Sequence, residues 1–179
     1  MDNGGPSADH RRVSVVLRPI STRAAEAILA GRVPDDVRVA SDYPTEFSTG
    51  IAQNVGKDSP LGPYFVHRAE DDLVVGEIGG GFVGPGVVEI GYAIVPSSWG
   101  QGYATAAVRA LASLARQVPA IERVVAHTPL DRPASGRVLH KAGFTLVVET
   151  DDEHEGTVLR VPLWELATRP SPTGPSRPA

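Results

Sequence analysis

The sequence predicts an α+β domain of mixed α/β character, built round one central and mostly antiparallel sheet of about seven strands flanked by about four helices. Three observations predict it. The strand-like segments Tyr64 to Ala69, Leu73 to Phe82 and Val87 to Val95 follow one another through short connections, Glu70-Asp71-Asp72 and Gly84-Pro85-Gly86, which suit antiparallel hairpins. Apolar residues at helical spacing lie on both sides of this meander: Ala25, Ile28 and Leu29 before it, and Ala104, Ala107, Val108, Leu111, Leu114 and Ala115 after it. The run Trp99-Gly100-Gln101-Gly102-Tyr103-Ala104-Thr105 joins the third of those strands to the second of those helices through two glycines.

In chain order, Val13 to Ile20 alternates as a first strand, and Ser21 caps a helix over Thr22 to Ala30 that Gly31 stops. Thr45 to Val55 is expected to form a second helix. After the meander and the helix Ala104 to Arg116 come a strand at Val124 to Thr128 and a helix at Ala134 to Ala142 ended by Gly143. Thr145 to Thr150 and Thr157 to Trp164 make a closing strand pair. The triple glycine Gly79 to Gly81 sits awkwardly in its strand and suits a bulge, a break or a close approach of backbone to a substrate.

The chain has 179 residues, 41% of them hydrophobic, which fits one domain at 13–165. A polar leader (1–12) and a tail (166–179) with four prolines are expected to be disordered. Seventeen basic against 21 acidic side chains leave a net charge of -4, which gives no general attraction for nucleic acid or an anionic membrane. Cysteine is absent and the five histidines lack metal-ligand spacing, so neither a thiol nucleophile nor a metal is expected. With no apolar run of spanning length, the sequence reads as a soluble cytoplasmic protein.

The glycine turn is the first chemical signal. Glycines let backbone approach an anion, and the first N–H groups of the following helix lack internal partners and carry the positive end of its dipole. Neither a Gly-x-Gly-x-x-Gly fingerprint nor a Gly-Lys-Ser/Thr loop is present, which points to a phosphate carrier other than a dinucleotide or a P-loop nucleotide.

Three stretches then narrow the reading: Val88-Glu89-Ile90-Gly91-Tyr92 with Pro96, the glycine turn itself, and Ala134-Ser135-Gly136-Arg137-Val138-Leu139-His140-Lys141-Ala142-Gly143-Phe144. In this order and spacing they resemble the GNAT (GCN-related) N-acetyltransferases, most of all the ribosomal-protein-alanine N-acetyltransferase branch, over roughly Val13 to Trp164. The chain departs from that family at two places. Trp99 stands where Gln or Arg commonly opens the loop, although Trp is usual in the branch named. Arg132 stands near the position of an Asn that contacts pantetheine in the family.

The resemblance implies a GNAT-like fold and acetyl-CoA as co-substrate. Its pyrophosphate would lie on the backbone N–H groups of Gln101, Gly102, Tyr103, Ala104 and Thr105, next to Trp99 and Gly100. Pantetheine would pair with Ile94 and Val95, with Arg132 in the place of the Asn. Strand alternation puts Glu89 on one face with Gly91, Ala93 and Val95, opposite Val88, Ile90, Tyr92 and Ile94, so Glu89 is expected to face a cavity or solvent and to act as the base. Ser135 resembles a serine beside the thioester sulfur and is the expected acid, with helix capping as its ordinary alternative. Tyr92 and Tyr103 are fallback donors, and His127 is either a second base or a hydrogen-bonded structural residue. Asp42, Glu46, Asp151, Asp152, Glu153 and Glu155 fall in regions that frame the family's acceptor cleft and would attract a cation.

The expected function is transfer of acetyl from acetyl-CoA to a primary amine, foremost a protein or peptide N-terminal α-amine. The alternatives are a small amine (polyamine, amino acid or aminoglycoside) and a non-catalytic acyl-CoA sensor, the latter prompted by Arg132. Monomer and homodimer stay open.

Overall fold

The computed structural model describes residues 13–57, 59–129, 131–154 and 157–169, with backbone alone for 148–154 and 157–160. The elements are β1 (Val15–Pro19), α1 (Thr22–Leu29), α2 (Ser48–Ala52), β2 (Leu61–Arg68), β3 (Val74–Gly84) and β4 (Val87–Ile94). A 3-10 turn (Pro96–Ser98), α3 (Tyr103–Ala115), β5 (Arg123–His127), α4 (Pro133–Lys141), β6 (Thr145–His154) and β7 (Thr157–Ala167) complete them. The strands form one seven-stranded sheet in the order β1-β2-β3-β4-β5-β7-β6. All neighbours are antiparallel except β4 and β5.

That one parallel pair positions the site. β3 pairs with β4 along its whole length, from Val87 to Ile94, whereas β5 pairs with β4 only at Val87, Val88 and Glu89. Beyond Glu89 the two central strands part, leaving the β5-facing edge of β4 unpaired from Ile90 onward. α3 packs across β1 to β4 and also against α4, and α2 packs against β3 and β4. The core between α3 and the sheet is aliphatic: Val88, Ile90 and Ile94 from β4 meet the helix stripe of Ala107, Val108 and Leu111, all nearly or fully buried.

Most elements lie where the periodicity puts them. The Ser21 hydroxyl accepts from the Ala24 N–H at 3.0 Å, a cap worth about 1 kcal/mol, and Gly31 takes φ +68° just past the helix end. α2 is shorter than the expected Thr45 to Val55, because the Ser48 hydroxyl folds back onto the Thr45 N–H at 2.9 Å and closes a turn in place of the first helical residues. Toward β4, Gly79 to Gly81 neither break nor bulge, pairing with Gly91, Ile90 and Glu89 in turn; toward β2 the register shifts between Leu61 and Tyr64, opposite Gly79. β7 extends past Trp164 to Ala167, and the Thr168 hydroxyl donates to the Ile121 carbonyl at 2.7 Å, so ordered chain reaches into the segment expected to be tail. The leader 1–12 and residues 170–179 lie outside the described residues.

Candidate active site

Because no bulge interrupts β4, the alternation expected from the sequence holds. Glu89, Gly91 and Ala93 share a face with their β3 partners Gly81, Gly79 and Glu77. α2 lies over this face. Between them is a cavity of about 530 Å³ lined by Gly50, Ile51, Gly79, Gly81, Glu89 and Gly91, with Asn54, Lys57, Phe82 and Val83 also on its walls. The glycines make the room: a Cβ added at Gly81 or Gly91 would meet no atom within 4 Å, so it would stand in the cavity itself. Gly79 has a second reason to lack a side chain, since its Cβ would come within 3.0 Å of the Pro63 backbone.

Glu89 is half-buried at the wall of this cavity, at the point where β4 and β5 part. Its Oε1 lies 2.7 Å from Nδ1 of His127, on β5. Arg123, Val125 and His127 face the same side as Glu89, because the parallel register sets Glu89 beside Val125. The sequence offered His127 as a second base or a structural residue; the fold makes it the hydrogen-bond partner of Glu89. The signal was there in the alternation of β5, but it could be used only with β4 and β5 known to be neighbours. A His proton on Nδ1 holds the carboxylate in place and leaves Oε2 for another partner.

On the opposite face, the Tyr92 phenol reaches α4 and donates to the Ser135 carbonyl at 3.1 Å. Burial pushes the Tyr92 phenol up to about 12. Ser135 does not cap the helix: the cap position belongs to Arg132, whose side chain makes no capping bond, and Ser135 is in the first turn. The ordinary explanation for a serine there is therefore absent. Tyr103, a fallback donor in the sequence reading, is buried in the core.

The glycine turn has the form expected. Gly100 and Gly102 have φ +73° and +93°, and α3 begins at Tyr103, one residue earlier than the apolar stripe suggested. A Cβ at Gly100 would meet nothing, so that glycine is required by its backbone conformation and not by lack of space. The N–H of Ala106 is the first to bond within the helix, to the Gly102 carbonyl, which leaves the N–H groups of Tyr103, Ala104 and Thr105 outside the helical ladder. Gln101 binds the Ser97 carbonyl through its side chain at 3.1 Å. Trp99 is largely exposed, yet its indole N–H donates to the Ile94 carbonyl at 2.5 Å. Val95 is buried, and its N–H goes to Val75 of β3.

Two of the acidic expectations change. Asp42 accepts from the Ser97 N–H and hydroxyl, both at 2.8 Å; desolvation pushes its carboxyl up, but these bonds together outweigh it and hold the group below the usual range. Glu46 is bound to Arg132 at 2.7 Å. Both carboxylates are thus committed to the protein. Asp151, Asp152 and Glu153 lie on β6 with side chains outside the described residues, as is all of Glu155. The sequence reading also missed Glu77, which lies fully buried on the glycine face under the Tyr43 hydroxyl, its Oε2 without a partner. Burial raises its carboxyl above the ordinary value. Among the described residues no cluster of potential metal ligands occurs, and no helix is long and apolar enough to cross a membrane.

A family model described as an acetyltransferase (GNAT) domain matches residues 14–145. A comparison with curated protein sequences finds no match. Among solved structures, a Vibrio cholerae protein provisionally named a ribosomal-protein-serine acetyltransferase is similar at 15% identity and TM-score 0.63, covering 86% of this chain and 94% of its own. A mutant form of the Vibrio cholerae spermidine/spermine N-acetyltransferase SpeG matches at 13% identity and TM-score 0.62, covering 87% and 94%. AAC(6')-Ib, in complex with parmomycin and acetyl-CoA, matches at 18% identity and TM-score 0.61, covering 86% and 93%. With its parted β4 and β5, its glycine turn and this match over most of its length, the chain belongs to the GNAT acetyltransferase family.

Proposed function

We propose that this protein moves an acetyl group from acetyl-CoA to a protein or peptide N-terminal α-amine, with Glu89 as base and Ser135 as acid. The observation that carries the reading is the Glu89 carboxylate, braced by His127 at the mouth of the gap between β4 and β5 and open to a glycine-floored cavity. The residues present fit the co-substrate. The free N–H groups at the start of α3, behind Gly100 and Gly102, suit a pyrophosphate, and the unpaired edge of β4 near Ile94 suits an amide chain. Acetyl-CoA supplies an activated acyl carbon; the protein's own groups move the protons.

Glu89 accepts the proton that the amine loses as its nitrogen bonds to the acyl carbon, and the bond from that carbon to sulfur breaks. The Ser135 hydroxyl, from the far side of the gap, passes a proton to the departing sulfur and regains one from solvent as Glu89 releases the proton it took, with the Tyr92 phenol holding that turn of α4 in place. An α-amine, with pKa about 8, is already partly neutral near pH 7, whereas a lysine amine at about 10.4 costs roughly 3 kcal/mol more to deprotonate. A partly exposed carboxylate suits the first.

The charges of the cavity favour the same acceptor. Among the described residues Glu89 is the single acidic side chain on its walls, and Lys57 stands with it as a cation. A polyamine would meet that cation while finding Asp42 and Glu46 already engaged. A chain terminus presents one amine followed by neutral backbone. The test is thiol release from acetyl-CoA with N-terminal peptides, spermidine, amino acids and aminoglycosides as acceptors. Release with peptides alone supports the proposal, and release with spermidine alone sinks the acceptor assignment.

A further inference from the structure

α2 covers the glycine face of the sheet, and α4 lies with α3 on the other. Yet Arg132, at the head of α4, binds Glu46 Oε1 at 2.7 Å and places its guanidinium 4.6 Å from the centre of the Phe47 ring, at the head of α2. β4 and β5 are central strands, so a link from one face to the other can pass only where they have parted or beyond their ends. A second link, Asp42 to Ser97, ties the same loop to the end of β4.

Together with Glu89–His127 at the fork, these contacts complete a ring. It runs up β4 to Ser97, across to Asp42, along the loop to Glu46, across to Arg132 and back along the chain to His127 at the end of β5. The ring surrounds the opening between the donor side and the acceptor side of the sheet.

From this geometry we infer that Arg132 is a positioning residue for the acceptor wall and not a contact to the donor. One N–H of its guanidinium is bound to Glu46 and its flat face lies over Phe47, so it fastens the loop before α2 across the open end of the gap. The fastening is light. An exposed ion pair and a cation–π contact each contribute little alone, so removing them should loosen the wall without unfolding the domain. The inference rests on the proposed acyl transfer for its kinetic arm only.

The test uses the full chain with Arg132→Ala, Glu46→Ala and the double variant. Three quantities are measured: amide hydrogen exchange over residues 42–52, acetyl-CoA affinity by calorimetry, and acceptor KM by thiol release. Each single variant should speed exchange in that segment and raise acceptor KM about three- to tenfold, while acetyl-CoA Kd stays within about twofold. The double variant should match Arg132→Ala, which already removes the ion pair together with the contact to Phe47. A tenfold weaker acetyl-CoA Kd in Arg132→Ala with unchanged exchange would overturn the inference and return Arg132 to the donor site. If wild type releases thiol with no amine, the proposed function fails, and the exchange and affinity arms still decide the role of Arg132.

Discussion

Glu77 and Glu89 project from adjacent strands onto the same face of the sheet, and they live in opposite surroundings. Glu77 is sealed beneath Tyr43, fully buried, with one carboxyl oxygen lacking any partner. Glu89 is half-exposed, braced by His127 and open to a cavity. A carboxyl on the right face is therefore not enough for a base: it must also be reached by a substrate. Tyr43 covers the first glutamate, whereas Gly81 and Gly91 leave the space beside the second empty.

The sharpest way to break this comparison is to neutralise the exposed member. Glu89→Gln should lower kcat about a hundredfold or more while leaving the melting temperature within a degree or two, checked by thiol release and thermal unfolding. A fall in stability comparable with the fall in activity would make Glu89 a structural residue like Glu77.

Tyr43→Phe attacks the sealed member. It removes the Tyr43 donor and leaves the buried Glu77 carboxyl with the Ser48 hydroxyl as its one remaining donor, at a cost of about 1–3 kcal/mol, read as the free energy of denaturant unfolding. An unchanged stability would mean that Glu77 finds another partner once the hydroxyl is gone.

A smaller effect is expected where the cavity is filled. Gly91→Val sets a side chain into space that no atom occupies and gives β4 a better strand former, so acceptor KM should rise about tenfold with stability kept or raised. An acceptor KM equal to wild type would place the acceptor elsewhere.

The smallest is a change in pH dependence. Burial raises the native carboxyl of Glu77, so the native state holds its proton after the unfolded chain has lost it. Its contribution to stability is full below the unfolded value, about 4.3, and is lost as pH rises through the raised native value. Glu77→Gln lacks this loss: its melting temperature relative to wild type should be about 2–4 °C higher at pH 8 than at pH 4, with turnover unchanged. A pH-independent difference would show that Glu77 titrates alike in both states.

Much of this site was legible before the fold. Alternation alone put Glu89 with Gly91 and opposite Tyr92, and β4 obeys it because no bulge resets the pleat. The positive φ of Gly100 and Gly102 followed from two glycines between a strand and a helical stripe. Less legible were the triple glycine and α2. Gly79 to Gly81 looked like a fault in β3 because each lacks a side chain for a reason outside its own strand: Gly79 for the Pro63 backbone, Gly80 for the β4 backbone at Glu89, and Gly81 for the cavity under α2. α2 lost its first turn to the hydroxyls of Thr45 and Ser48, a local competition that apolar periodicity does not register.

What the sequence determined by itself is whatever neighbouring residues decide among themselves: the pleat of β4, the helix stripe of α3, the Ser21 cap and the glycine turn. The tertiary structure alone decided who meets whom. Tyr43 covers Glu77 across 34 residues, His127 braces Glu89 across 38 and Arg132 reaches Glu46 across 86. Such pairings depend on the strand order and on β4 and β5 parting after Glu89. The physical reason is that backbone periodicity fixes the direction in which a side chain points, whereas its partner is set by chain closure over long loops and by the packing of the whole sheet.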